Sequence, residues 1–582
     1  RCALGSVKSN VGHLDTAAGI AGLLKTILAV NRGQIPPMLN FATPNPALKL
    51  DESPFTVPVT AQAWQDEIRY AGVSSFGIGG TNCHMIVASL PDELKLPLPG
   101  ADDGSRSTAL LLSAASDTAL RQLATDYARA LRENADASNL AFTALRARRL
   151  DLPFRLATAL NDDTAAALSA WAGEQAGAPV YSGHGVSGRQ VWLFTGQGSH
   201  WRTMGHAMCQ RSKVFADTLE RCFSACREML TPSLRDAMFN PDSAQLEEMT
   251  WAQPAIVAFE IAMAAHWRAE GLQPDYAIGH SVGEFAAAVV CGHYTIEQVM
   301  PLVCRRGALM QLCANGAMVA VFAQEEALMP LARQFELDLA ANNGTRHTVF
   351  SGPEARIAEF CAALSQRDIS YRRLSVSGAA HSALLEPILD RFQDACAGLH
   401  AEPGQLQLIS TLTAGAIDAS TLNQADYWRR HMRQPVRFIQ SIQAAHKLGA
   451  RVFIEMGPDA QLITSGQREY RDNAYWIASA RRNQEASAVL NQALLQLYAA
   501  GVTLPWADLL AGNGQRISAP RYPFATERYW KEHVSNVCEP DDVVLSAGAE
   551  VASRAAAALD LPRLEALKRC ATRLHAIYVD RL

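Results

Sequence analysis

Tyr276-Ala-Ile-Gly-His-Ser-Val-Gly-Glu-Phe-Ala-Ala-Ala-Val-Val290 is the stretch on which the fold reading turns. An apolar strand pattern over 276–278 runs into Gly279-His-Ser-Val-Gly283, and a helical pattern begins at Glu284. This is the G-x-S-x-G elbow in the context it requires. A sharp strand-to-helix turn lifts a serine Oγ out of a sheet, needs glycine where a Cβ would collide, and leaves backbone N–H groups free at the helix N-terminus. The five-residue pattern alone arises by chance about once in several chains of this length, so the flanking strand and helix carry the argument. Ser281 is the candidate nucleophile, with a plain glycine turn as the alternative.

Outward from the elbow, strands at 190–194 and 450–455 alternate with long helical patterns and imply a mainly parallel sheet. Between 316 and 376 the pattern reads strand (318–322), helix (325–334), strand (336–341), strand (347–351), helix (353–366) and strand (370–375), a βαββαβ order that suggests a ferredoxin-like insert. Upstream lie a Pro/Gly/Ser/Asp stretch at 96–107, then a strand at 109–113 and a helix at 119–133, which open a small α/β unit. Within 1–91 a glycine-dense turn starting at Val73 precedes a strand ending at Val87. Downstream come a helix at 486–498, an aromatic segment at 519–530, an acidic spacer at 539–542, and a last helix with Leu564, Leu567, Leu574 and Tyr578 on one face.

The chain has 582 residues, 49% hydrophobic and 19% charged, which supports several buried cores and excludes a disordered chain. With 52 Lys+Arg against 57 Asp+Glu the net charge is −5, so there is no basic excess to neutralise nucleic-acid phosphates. No apolar run reaches the ~20 residues of a membrane span. The twelve cysteines are scattered without metal-ligand spacing, and read as isolated buried thiols in a reducing cytoplasm. The chain begins at Arg1 with no signal-peptide pattern and is expected to be a piece of a longer polypeptide.

A serine hydroxyl needs a base that is close in space, and spacing cannot select it among fifteen histidines. His381 is favoured because it opens a polar His-Ser step after the small residues Gly378-Ala-Ala380, an open loop position; a solvated loop histidine is the alternative. His280 is expected to point away from the serine and to be structural. Arg306 lies on an apolar helix and must be paired, either by a side-chain carboxylate or by an anionic ligand. Gln197, in Gly196-Gln-Gly198, could present a second backbone N–H to an oxyanion, and a donor of this kind is worth ~3–4 kcal/mol in the transition state.

Taken together, Gly196-Gln-Gly-Ser199, Gln253-Pro-Ala255, Gly279-His-Ser-Val-Gly-Glu284, Arg306-Gly307, Asn343-Gly344, Ser351-Gly352, Ala380-His-Ser382 and Glu455-Met-Gly-Pro458 resemble, in order and spacing, the acyltransferase domain of modular type I polyketide synthases. Ser6-Val-Lys-Ser-Asn-Val-Gly-His13 and Ser75-Phe-Gly-Ile-Gly-Gly-Thr-Asn82 resemble the end of a ketosynthase, and Arg521-Tyr-Pro-Phe524 with Arg528-Tyr-Trp530 a post-acyltransferase linker. Ser199–Met204, Gly378–Pro387 and Leu559–Leu567 are similar to yersiniabactin-type siderophore synthases, which mix polyketide and nonribosomal assembly.

The resemblance implies an α/β fold: a parallel-sheet, α/β-hydrolase-like acyltransferase core over 189–490 with the ferredoxin-like insert at about 316–376. Ahead of it stand the C-terminal part of a thiolase-like ketosynthase (1–91) and an α/β linker subdomain (92–188). Behind it come a post-acyltransferase linker (491–535) and an acidic spacer and helix (536–582) leading toward a methyltransferase region.

It further implies Ser281 as nucleophile, His381 as general base held by a backbone carbonyl, Arg306 as clamp for an acyl carboxylate, and the N–H groups of Gln197 and Val282 as oxyanion hole. Gln253, Asn343 and Ala380 become pocket residues. The substrate is a coenzyme A thioester and the acceptor is phosphopantetheine on an acyl carrier protein, with no cofactor bound by this chain. The implied partners are the rest of the ketosynthase, downstream modules and nonribosomal peptide synthetase subunits, in the cytoplasm, without nucleic acid or membrane. Lys8 and His13 match two ketosynthase residues, but the nucleophilic cysteine has no counterpart here, so carbon–carbon condensation is not expected. Val282 is similar to malonyl-selective members, whereas Gly378-Ala-Ala-His381 matches neither the His-Ala-Phe-His of those members nor the Tyr-Ala-Ser-His of methylmalonyl ones. A serine hydrolase and an inactive docking scaffold are the competing readings.

Overall fold

Glycine punctuation shapes the first ninety residues of the computed structural model, which describes residues 1–90, 109–133, 136–175, 177–185, 188–313, 316–374, 378–471, 474–510, 514 and 516–526. Gly77–Thr81 is the turn of a hairpin between β1 (Tyr70–Phe76) and β2 (Asn82–Ala88), so 73–76 are strand where the sequence suggested turn. Helix α1 (Ala18–Arg32) packs on β1 at Gly19, where a Cβ would lie 2.7 Å from Ser75 Oγ. Within 1–90 only Val30 and Pro58 are buried, and α1 exposes Ile20, Leu24, Ile27 and Leu28.

The next unit alternates strand and helix: β3 (Ala109–Ala114), α2 (Asp117–Arg132), α3 (Ala137–Ala147), β4 (Phe154–Ala159), α4 (Thr164–Ala172) and β5 (Tyr181–His184). Its sheet is antiparallel in the order β3-β4-β5. Ser116 caps α2 by accepting the Ala119 N–H at 3.2 Å, which starts that helix two residues before the apolar pattern does. Every residue of β3 is buried because both its faces are covered. Leu111 joins the main core, while Leu110 and Leu112 join a second cluster that also receives Ile517, Ala519 and Tyr522.

The main sheet is built from β6 (Arg189–Phe194) and β7 (Tyr276–Gly279), joined by the buried helix α5 (Met249–Ala269), with α6 (Gly283–Cys291) and α7 (Ile296–Gln311) following. A capping box, Thr295 Oγ1 to the Gln298 N–H and Gln298 Oε1 to the Thr295 N–H, starts α7. The insert then runs β8 (Gly316–Val321), α8 (Glu325–Gln334), β9 (Asp338–Gly344), β10 (His347–Pro353), α9 (Glu354–Ser365) and β11 (Tyr371–Arg373). Its antiparallel order β9-β10-β8-β11 is ferredoxin-like. The expected strand start at 336 moves to 338 because Glu336, at φ +54°, takes the left-handed position of a Schellman cap on α8, with Leu337 N–H on Ala332 O at 3.0 Å.

The chain returns to the main sheet through β12 (Gln407–Ser410), β13 (Gly415–Ile417), α10 (Tyr427–Arg433), β14 (Ala450–Glu455), α11 (Leu462–Glu469), β15 (Tyr475–Ala478) and α12 (Ala486–Ala499). The strand order is β13-β12-β7-β6-β14-β15, with every pair parallel except β12/β13. This is the expected α/β class. Ten cysteines are free among the described residues, and they are not all isolated: buried Cys226 and Cys304 stand 3.3 Å apart. No helix among the described residues is long and apolar enough to cross a membrane, and no cluster of three potential metal ligands occurs among them. The stretch at 96–107, Arg528–Trp530, the acidic spacer at 539–542 and the last helix lie outside the described residues.

At Gly283 a Cβ would fall on the carbonyl oxygens of Phe194 and Thr195, backbone atoms that cannot yield. Gly283→Ala should therefore lower stability by about 3 kcal/mol, the upper end for overpacking, read as a reduced urea midpoint by tryptophan fluorescence.

Candidate active site

β6 and β7 pair in register from Val191↔Tyr276 to Phe194↔Gly279, so they end level and the residues following each strand meet. Ligand sites in open α/β sheets occupy this position, beyond the carboxyl ends of the strands. Ser281 stands at the elbow with φ +50°, a left-handed conformation unusual for a residue with a Cβ. It holds because Gly279 and Gly283 admit the Glu284 and Thr195 backbones where side chains would clash, and because the His280 N–H donates to Phe194 O at 2.8 Å. Gly196 lies over the elbow; a Cβ there would sit 3.0 Å from His280 O. The Gln197 and Val282 N–H groups thus belong to adjoining turns, and neither donates a hydrogen bond among the described residues.

His381, 100 residues later in the chain, brings Nε2 to 2.8 Å from Ser281 Oγ. Its Nδ1 lies 2.8 Å from Gln434 O, the C-cap carbonyl of α10. A carbonyl can only accept, so the ring proton sits on Nδ1 and Nε2 presents a lone pair to the serine hydroxyl. The open loop expected at this position is in fact closed: His381 is 3% exposed, at φ +58°, because the Gln434 carbonyl draws the ring inward. Burial, then the nearby Arg306 charge, hold its pKa well below the usual histidine value.

Arg306 on α7 is 1% exposed. Gly307, whose Cβ would strike Met249 O, lets α7 approach α5, and Arg306 NH1 donates to Gln253 Oε1 at 2.5 Å. NH2 reaches Ser281 Oγ at 3.4 Å, and Nε has no hydrogen-bond partner among the described residues. No carboxylate pairs with this guanidinium among the described residues, and burial lowers its pKa to about 10. The structural salt bridge, one of the two readings open from sequence, is thus not present among the described residues. Gln253 is itself oriented by Nε2 against Met310 Sδ at 3.3 Å.

Asn343 on β9 meets the elbow through His280, its Oδ1 2.9 Å from His280 Nε2, so it braces the elbow from the insert. Ala380 packs partly buried against the main core. Lys8 and His13 are exposed in the first ninety residues, where His13 Nδ1 accepts the Asp15 N–H at 2.9 Å.

Several groups at the site went unnoticed in the sequence. Gln434 contributes only its carbonyl, for which no side-chain signal exists. Three buried glutamates surround the strand ends. Glu260 on α5 accepts from the Thr195 N–H and from Thr195 Oγ1 at 2.8 Å, and burial raises its pKa well above the usual carboxylate value. Thr195 Oγ1 in turn meets Ser199 Oγ at 2.9 Å, and Ser199 Oγ donates to Gly196 O at 3.1 Å, which secures the turn carrying Gln197. Glu455 accepts the N–H groups of Gln461, Leu462 and Ile463 at 2.9 Å each, capping α11; burial pushes it up to about 7 against the pull of those donors. Glu284 opens the elbow helix. The latter two stand inside the motifs quoted above, where a carboxylate among apolar neighbours was the available signal.

Residues 191–504 match the acyl transferase domain family, residues 1–42 the β-ketoacyl synthase C-terminal domain, and residues 44–158 the ketoacyl-synthetase C-terminal extension. Mycoketide-CoA synthase of Mycobacterium tuberculosis is 34% identical over 534 residues, covering 90% of this chain and 13% of the relative. The chain spans between 8% and 37% of the length of the curated relatives it matches. Among solved structures, the acyltransferase domain of the second salinomycin polyketide synthase module is 31% identical with a TM-score of 0.57, over 69% of this chain and 95% of that one. The acyl transferase domain of SpnD, in complex with 2-(pent-4-yn-1-yl)malonyl, is 28% identical with a TM-score of 0.62, over 71% of this chain and 99% of that one. Sequence, fold and the level ends of β6 and β7 agree: the chain belongs to the acyl transferase family, in the arrangement it shares with modular polyketide synthases, an acyl transferase domain behind the C-terminal part of a β-ketoacyl synthase.

Proposed function

We propose that this enzyme moves a malonyl group from malonyl-CoA, through an ester on Ser281, to the phosphopantetheine thiol of an acyl carrier protein within a modular polyketide synthase. The observation that carries the reading is Arg306: a buried guanidinium with no carboxylate partner among the described residues, 3.4 Å from the Ser281 hydroxyl, is short of one anion. The free carboxylate of malonyl supplies it, which a simple acyl chain could not. A related domain held with a substituted malonyl group supports the same acyl class.

In the first half-reaction His381 Nε2 takes the Ser281 proton as Oγ attacks the thioester carbonyl. The N–H groups of Gln197 and Val282 receive the oxyanion, and the coenzyme A thiolate leaves with the proton from His381. In the second half the phosphopantetheine thiol passes its proton to His381 and attacks the seryl ester, and Ser281 is reprotonated. Gln434 O holds the ring tautomer throughout, in the place that a carboxylate takes in other triads.

Val282 supports a preference for malonyl, while Ala380 leaves space beside the base that a methyl could enter at a cost of only ~1–3 kcal/mol in discrimination. The similarity of Ser199–Met204 and Gly378–Pro387 to yersiniabactin-type synthases supports a siderophore pathway with nonribosomal peptide synthetase partners. Coenzyme A and carrier-bound substrates place the reaction in the cytoplasm. Lys8 and His13 are remnants of ketosynthase chemistry in this reading.

Incubation with radiolabelled malonyl-CoA should label the wild type and not Ser281→Ala, and the label should pass to an added phosphopantetheinylated carrier protein. Release only as free malonate would instead identify a hydrolase, and absence of label an inactive scaffold. Arg306→Ala should lose most of the malonyl over acetyl preference, about tenfold to a hundredfold for one charge-assisted pair. Because that variant also removes a positive neighbour from His381, the histidine pKa rises, and the acid limb of the rate profile should move to higher pH.

A further inference from the structure

Glu284 is fully buried in the first turn of α6, three residues beyond Ser281. One oxygen, Oε2, accepts the Thr411 N–H at 2.9 Å and lies 3.0 Å from Thr411 Oγ1, whose proton is shared with Gly279 O at 2.9 Å. The other, Oε1, accepts the Tyr427 hydroxyl, and His431 Nε2 stands 3.4 Å from Oε2. Burial alone would raise this carboxyl, yet His431, Tyr427 and the Thr411 N–H outweigh it and keep it ionised. Tyr427 and His431 lie one turn apart on α10, and the next residue after that helix is Gln434, whose carbonyl receives the His381 Nδ1 proton.

One carboxylate therefore joins the helix that carries the nucleophile to the helix whose end orients the base. We infer that Glu284 is a positioning residue that sets the separation of Ser281 and His381 by holding α10 against the elbow; this rests on the reading of Ser281 and His381 given above. Other ties of α10 include Trp428, whose ring stacks on Phe285 of α6 with centroids 3.9 Å apart, an apolar contact that holds the two helices together without the directional hydrogen bonds of Glu284. Arg433 pairs with Asp338 at 3.1 Å and with Glu386 at 2.8 Å, but these side chains are a quarter to half exposed and screened by salt. The Tyr427 hydroxyl also meets Ser410 Oγ at 2.7 Å, which anchors the ring to β12 rather than to the elbow helix.

The test compares the full chain as wild type, Glu284→Gln, Tyr427→Phe, the double variant, and Glu284→Gln in a His381→Ala background. Two rates are read for each: single-turnover acylation by malonyl-CoA, and covalent labelling by a fluorophosphonate probe that needs only an activated serine. A displacement of about 1 Å in a reacting pair costs about a hundredfold, so Glu284→Gln should slow both rates ~30–100-fold with KM for malonyl-CoA within about twofold. Tyr427→Phe should slow them ~10-fold, and the double variant should be no slower than Glu284→Gln, because both act through one path. In the His381→Ala background Glu284→Gln should have no further effect.

A wild-type rate in Glu284→Gln, a loss confined to KM, or an equal loss without His381 overturns the inference. If circular dichroism shows Glu284→Gln unfolded, Tyr427→Phe decides: a wild-type rate there overturns it as well. Failure of the reading beneath is separate: it appears as no malonyl label on the wild type, or as label that persists in Ser281→Ala.

Discussion

Gly279 and Gly283 let the chain leave β7 and enter α6 within four residues, with Ser281 held at φ +50° between them, and the rest of the site is arranged around that turn. The turn is tight because α6 starts directly over the end of the neighbouring strand: at Gly283 there is room for a hydrogen and nothing larger against the Thr195 and Phe194 carbonyls. Parallel pairing of β6 and β7 makes both strands end at the same level, so the glycine turn after β6 falls beside the elbow. The Gln197 and Val282 N–H groups of these two adjoining turns have no acceptor among the described residues.

Electrostatics in this dry site are unequal by design of packing. Arg306 keeps its charge in a buried place with a single strong neutral partner, Gln253. An unpaired buried cation is costly to the unliganded fold, and an anionic ligand removes that cost on binding. The same charge, together with burial, keeps His381 neutral and able to accept a proton. The three buried glutamates have structural work: Glu260 under the β6 turn, Glu455 over the start of α11, and Glu284 between α6 and α10. Each accepts hydrogen bonds from backbone N–H groups, which offsets part of the cost of burying it.

The three parts of the chain differ in how they are covered. In the sheet β3-β4-β5, strand β3 is buried on both faces, by the main core on one side and by its own helices with residues 517–522 on the other; Arg148 donates to Ala519 O at 3.1 Å and the Ala115 N–H to the Tyr522 hydroxyl at 2.9 Å. The insert has its own small core around Val319, Phe350 and Phe360, packs Ala320, Ala340 and Val349 in a cluster with Ile278, and meets the elbow through Asn343. The first ninety residues have almost no core, and α1 carries a row of exposed aliphatic side chains.

What the sequence by itself determined was local. The elbow, the βαββαβ order of the insert and the parallel alternation were legible because each depends on residue types a few positions apart: glycine where a Cβ collides, periodicity of two or of 3.6, and caps such as Ser116. Boundaries slipped where a local hydrogen-bond motif prevailed over the pattern, as with Glu336 in its Schellman cap. Tertiary structure alone decided everything that depends on distance through space. It brought His381, the histidine favoured from sequence, to 2.8 Å from Ser281 across 100 residues; it gave Arg306 no carboxylate among the described residues, and it set Asn343 against His280. It also supplied the Gln434 carbonyl, a group that every residue possesses and no sequence can mark. Such contacts are fixed by how strands and helices pack, and side-chain identity sets only which of them are possible.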